Sequence, residues 1–110
     1  MRAYELMVIL DGNLEDAAVE TGVTRVAGQI EAEGGRIAKT DRWGKRRFAY
    51  EINHKSEGHY VVFEVVTEGP GFPELERTLH IADDVVRHKL FRLPDKEAAK
   101  RGLLSKATPA

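Results

Sequence analysis

The residues best suited to chemistry stand together at positions 44–53, Gly44-Lys45-Arg46-Arg47-Phe48-Ala49-Tyr50-Glu51-Ile52-Asn53. Three adjacent cations repel one another unless an anion lies between them, so the triplet invites a phosphate-rich ligand. Lysine and arginine on a sheet edge also discourage unwanted strand pairing, and the triplet alone leaves both readings open. From Phe48 the segment alternates as a strand does. Phe48, Tyr50 and Ile52 then share one face, toward a core, with Arg47, Ala49 and Glu51 on the other, and Arg46 and Arg47 point to opposite sides.

Other chemistries find less support. The four histidines, His54, His59, His80 and His88, form no helical metal-ligand pair and no carboxylate completes a site. Ser56 and Ser105 have no nucleophile context, and Gly69-Pro70-Gly71 leads into Phe72-Pro73 without the lysine of a phosphate cradle. Catalysis, metals and cofactors are therefore not expected. The chain has no cysteine, which removes disulfides and thiolate chemistry and fits a reducing compartment. Its N-terminal apolar run is short, is broken by Glu5 and is followed by Asp11-Gly12 rather than a cleavage site. No segment is long enough to span a bilayer, so a cytoplasmic protein is expected, with neither membrane nor DNA as a partner.

The formal net charge of −1 hides a segregation. Residues 11–34 carry a net −5, residues 36–55 a net +5, residues 57–84 a net −6 and residues 85–110 a net +5. A nearly neutral chain can thus present a cationic surface.

The elements that must position these charges follow from periodicity. Residues 2–10 alternate Tyr4, Leu6, Val8 and Leu10 against Ala3, Glu5, Met7 and Ile9, as expected of a central strand. Asp11-Gly12-Asn13 is a turn, with Asn13 able to cap a helix over residues 14–33 that ends at Gly34-Gly35 in a left-handed glycine. Residues 36–53 read as one long strand broken near Trp43-Gly44, where a bulge reconciles the parity of Ile37 with that of Phe48. Residues 54–58 read as a hairpin loop, residues 59–67 as a third strand, a segment opened by Pro73 as a second helix, and residues 85–93 as a fourth strand. Residues 94–110 read as a flexible tail after a domain of residues 1–93.

Strand, helix, strand, strand, helix, strand implies an α+β, ferredoxin-like βαββαβ sandwich: a four-stranded antiparallel sheet ordered 4-1-3-2 with both helices on one face. Strands two and four are then the basic edges. The covered face holds Tyr4, Leu6, Val8, Leu10, Val61, Phe63, Val65, Val86 and Leu90. The bare face shows Met7, Ile9, Tyr60, Val62 and Phe91 among Arg47, Arg87 and Lys89, a mixture typical of partner surfaces. An acylphosphatase-like enzyme of this topology is disfavoured, because the turn after strand one is acidic where phosphate needs an arginine. An RNA-recognition motif fits poorly, since Tyr60 and Phe63 fall on opposite faces. A regulatory dimer binding a small metabolite on its open sheet face is the alternative to nucleic-acid binding.

With these residues in place the sequence resembles a family, the bacterial small-ribosomal-subunit protein six. The carriers are Met1-Arg2-Ala3-Tyr4-Glu5, Asn13-Leu14, the block from Gly44 to Ile52, Gly58-His59-Tyr60, Leu79-His80-Ile81 and Val85-Val86-Arg87-His88. The resemblance covers residues 1 to about 93, with Phe48 standing where the family favours leucine. It implies a structural ribosomal protein that binds the central domain of small-subunit ribosomal RNA, in the platform, together with small-subunit protein eighteen. On that resemblance Arg2, Lys45, Arg46, Arg47, Arg87, Lys89 and Arg92 are candidates for phosphate contacts. Leu103 and Leu104 are candidate anchors for the protein partner.

Overall fold

A computed structural model describes residues 1–52, 54–69 and 71–103 of the chain. Its elements are β1 (Arg2–Asp11), α1 (Asp16–Ala32), β2 (Arg36–Ile52), β3 (Lys55–Thr67), α2 (Pro73–Ile81), β4 (Val85–Arg92) and α3 (Asp95–Lys100). β1 pairs antiparallel with β3 and with β4, and β2 pairs antiparallel with β3, so the sheet runs β2-β3-β1-β4. This is the expected ferredoxin-like order, with β2 and β4 as edges.

Alternation along β1 builds two faces. Tyr4, Leu6, Val8 and Leu10 join Val61, Phe63 and Val65 of β3 beneath Val19, Val23, Val26 and Ile30 of α1 and Leu75 and Leu79 of α2. Burying each such large apolar side chain contributes about 1.5–3 kcal/mol, which holds α1 despite the glycines inside it. Gly34, at φ 87, ends α1: its N–H donates to Glu31 O and that of Gly35 to Ile30 O, satisfying carbonyls the helix leaves open. At the other end Asn13 does not cap α1. Its backbone N–H donates to the Asp11 carboxylate at 2.9 Å, closing the turn, and Glu15 takes the N-cap position without a side-chain bond.

The hairpin between β2 and β3 is tighter than expected. β3 begins at Lys55, not residue 59, so most of the expected loop belongs to the strand, and His54 makes the turn at φ 63. Gly58 belongs to the sheet because a Cβ there would stand 2.5 Å from Ile9 Cγ2 and 2.8 Å from Leu10 O. Close approach between strands, not turning, demands this glycine.

The open face is less bare than the pattern suggested. The β1–β4 register shifts between Ile9 and Leu10, so Val85 packs on the helix-side core while Val86 joins Ile9 and Phe48 on the opposite face. This corrects the placement of Val86 under the helices; Leu90 does pack there. Phe48 thus belongs to this second cluster, with Met7, Ile52 and Tyr60 packed against it, whereas Tyr50 is 75% exposed rather than facing a core. Ile9 and Val62 are consequently buried, while Phe91 stays exposed.

At the opposite end of that face lie residues assigned from sequence to a flexible tail. α3 sets Ala98 and Leu103 against Ala3, Val66 and Leu93. Gly102, at φ 75, donates to Ala99 O and Leu103 N–H donates to Ala98 O, the same glycine-capped ending as in α1. Arg101, just before it, bonds to Glu5, Glu64 and Glu97.

Candidate nucleic-acid interface

The basic triplet owes its geometry to a break in β2. Pairing with β3 skips Trp43 between Arg42 and Gly44 and resumes at Gly44, which takes φ 86 opposite Tyr60, and at Lys45 opposite His59. This is the expected bulge. A left-handed residue at such a position favours glycine, and the kink re-aims what flanks it. Arg46 stands opposite Gly58 on the open face, and Lys45 and Arg47 stand opposite His59 and Glu57 on the other side.

Trp43, the residue left out of the ladder at the bulge, stacks on Tyr60 with ring centroids 6.0 Å apart and planes 6° from parallel. Phe48 meets Tyr60 edge-on at 6.2 Å, so the second cluster fixes the platform from below. The Arg46 guanidinium lies 5.3 Å from the Trp43 ring. On β4, Arg87 stands opposite Ile9 and Lys89 opposite Met7, on the same open face, with the Lys89 ammonium 5.9 Å from the Phe91 ring.

The structure sorts the seven candidate cations into two groups. Arg46, on β2, shares the open face with Arg87 and Lys89 on β4, while Lys45 and Arg47 flank Arg46 from the other side of the β2 edge, which corrects the placement of Arg47 on the bare face. Lys45 is 3.8 Å from Glu57; Arg46, Arg47, Arg87 and Lys89 are exposed and have no ion pair among the described residues. Arg2 lies at the far end of the sheet, roughly 30 Å along β1 from Asp11 at ~3.3 Å per residue, and Arg92, opposite Tyr4, stands beyond Lys89 on β4. Arg2 donates to Gly69 O at 3.0 Å, fastening a loop, and Arg92 is 3.8 Å from Asp95 at the start of α3. Leu103, offered as a partner anchor, is 3% exposed within the chain's own packing, and Leu104 lies outside the described residues. A buried leucine already in contact with Ala3 and Val66 has no surface left for a partner.

Fixed electrostatics set off this region. Lys55 lies 2.8 Å from Asp11, and with the Asn13 N–H it holds the Asp11 carboxyl below the usual carboxylate range. A ring nitrogen of the buried His59 is 3.2 Å from Leu14 O, tying β3 to the loop before α1. A cleft of about 640 Å³ opens there, and its lining includes Glu15 and Asp16 with Lys45, a charge balance poorly suited to phosphate. The cluster of exposed cations without acidic partners among the described residues therefore lies outside this cleft, on the open face and the β2 edge.

Sequence reasoning did not see Trp43 as part of the site. Its alternation is interrupted by the bulge, so its face could not be read from parity. The available signal was an indole directly before glycine and a basic triplet.

The profile of the family Ribosomal protein S6 matches residues 3–92. The small ribosomal subunit protein bS6 of Carboxydothermus hydrogenoformans is 49% identical over 92 residues, 84% of this chain and 96% of that protein. The bS6 of Acidothermus cellulolyticus is 43% identical over 95 residues, 86% of this chain and 98% of that protein. The crystal structure of 30S ribosomal protein S6 from Thermotoga maritima superposes with a TM-score of 0.83 at 36% identity, covering 92% of this chain and 95% of that one.

Proposed function

The chain belongs to the ribosomal protein S6 family, and from that premise we propose that its open face and β2 edge bind ribosomal RNA of the small subunit. As a family member it is a structural constituent of the small ribosomal subunit in the bacterial cytoplasm, not an enzyme. The finer reading is that it binds the central domain, in the platform, jointly with small-subunit protein eighteen.

The observation that carries the proposal is the set Arg46, Arg47, Arg87 and Lys89, carried by the two edge strands β2 and β4 and exposed without acidic partners among the described residues. Other arginines are matched to acids: Arg25 to Asp84 at 2.9 Å, Arg42 to Glu20 at 2.8 Å, and Arg101 to its three glutamates. Four exposed cations without acidic partners among the described residues, on the open face and the β2 edge of a chain of net −1, suit a surface that meets phosphates and releases their counterions. Such contacts position a protein without reading sequence. A protein partner suits the exposed Phe91 and Tyr50 near the same cations.

Reversing Arg46 and Arg47 together to Glu tests the reading. The variant keeps its urea midpoint but assembles more weakly with the RNA and protein eighteen, and its log-affinity falls less steeply with log salt, by about 0.7–0.9 per lost phosphate contact. Equal binding by variant and parent across the salt titration overturns it.

A further inference from the structure

We infer that Trp43 and Tyr60, with Arg46 against the indole, form a stacking platform for one unpaired RNA base. The inference rests on the RNA-binding reading and adds to it a contact that a phosphate-only surface lacks. Trp43 is 44% exposed although it is among the largest apolar side chains in the protein. A lone exposed aromatic calls for no explanation, but this one is held. Its ring is parallel to Tyr60, Tyr60 is buttressed edge-on by the buried Phe48, and Gly44 at φ 86 sets the turn after it. A platform fixed before binding loses little entropy when a ligand lands on it.

Charge names the ligand. The indole N–H donates to Asp41 Oδ2 at 3.2 Å and the Arg46 guanidinium lies 5.3 Å from the ring, while Arg87 and Lys89, on β4, share its face of the sheet; none of these three cations has an acidic partner among the described residues. Bases stack on aromatic rings and on guanidinium planes alike, while adjacent cations hold the phosphates on either side. Duplex RNA does not fit, because its bases are already stacked inside a helix whose deep, narrow groove excludes side chains. The class of ligand is therefore a single-stranded loop or bulge.

The chain holds a single tryptophan, so indole fluorescence reports on Trp43 alone. The full chain is titrated at low salt with a single-stranded oligoribonucleotide, with a blunt RNA duplex of equal length and with inorganic polyphosphate, binding being followed separately by filter retention. The expected result is saturable quenching by the single strand only. Trp43→Ala weakens the single strand about tenfold and leaves the salt slope unchanged, whereas Trp43→Tyr retains the parent affinity and shows that the fold survives substitution. If RNA is retained but emission does not change, or if the duplex quenches as strongly, the platform is wrong and the phosphate reading stands. If neither RNA is retained, both readings fall. Quenching by small-subunit protein eighteen without RNA would make the platform a protein contact and overturn the inference.

Discussion

The two ends of the open sheet face carry similar side chains and treat them in opposite ways. At one end, α3 closes over Ala3 and Val66, and Arg101 sits among Glu5, Glu64 and Glu97. At the other, Arg46 lies 5.3 Å from an exposed indole whose N–H donates to Asp41, and Arg87 and Lys89 stand across the same face on β4; none of the three cations has an acidic partner among the described residues. The first arrangement is internally complete and contributes to folding. The second leaves its charge for something outside the chain. An arginine's type therefore says little about its role; its local balance of charge says more.

The largest effect that would test this contrast lies at the closed end. Leu103→Ala removes a buried side chain packed on Ala98, Leu93 and Val66 and should lower unfolding free energy by about 2–4 kcal/mol. RNA affinity per folded molecule and its salt slope should not change. A urea midpoint equal to the parent's would mean that residues 95–103 do not dock in solution, and the two ends would no longer differ.

Next in size is the reciprocal experiment at the open end. Arg87→Glu with Lys89→Glu should leave stability within about 0.5 kcal/mol of the parent, as for exposed surface changes. RNA binding should fall about 10–100-fold at moderate salt with a shallower salt dependence. Destabilisation well beyond that limit with unchanged binding would assign these cations to the fold.

A smaller effect isolates Arg101. Glu5 and Glu64 stand directly opposite each other on β1 and β3, where like charges repel, and Arg101 reaches both at 3.3 and 3.0 Å. Arg101→Met keeps the stem but exposes that repulsion, so a loss of about 1 kcal/mol is expected. Added salt should narrow the gap between variant and parent in denaturant unfolding, because it screens the two carboxylates. A gap that does not respond to salt would mean that packing of the stem, not charge, is what Arg101 contributes.

How far such contrasts are legible in sequence depends on which physical signal carries them. Alternation in β1 and β3 placed the helix-side core correctly, because both faces of a central strand are fixed by neighbours on each side. Parity failed where an extra residue intervened: the Ile9/Leu10 shift sent Val86 to the other face, and the Gly44 bulge hid the stacking of Trp43 on Tyr60. Phe48 was recognisable as buried but not as buried on the open side, which depends on Gly58 letting the chains approach. Residues 95–103 read as tail because their charged composition hides a docked helix. Its ending, Arg101-Gly102-Leu103 after Ala98, has the same capping logic as Glu33-Gly34-Gly35, yet six residues of helix hold only because a sheet lies beneath them. The gathering of cations on the two edge strands was suggested by the charge blocks, while their lack of acidic partners among the described residues required coordinates.

The smallest predicted effect concerns a cation at the open end that does serve the fold. Lys55 lies 2.8 Å from Asp11 at the base of the β2–β3 hairpin, and it is the main cause, with the Asn13 N–H, of the lowered Asp11 carboxyl. A carboxyl whose folded value is depressed binds its proton less readily than in the unfolded chain. It therefore contributes stability above the ordinary carboxylate pKa, near pH 4, and loses it as pH falls through the lower folded value. Asp11→Asn keeps an acceptor for Asn13 but removes the charge opposite Lys55. The variant should be less stable than the parent at neutral pH, and the two unfolding curves should converge in acid. Parallel pH profiles would show that the Lys55–Asp11 pair is idle in folding, and Lys55 would then join Arg46 and Arg47 among the cations held for a ligand.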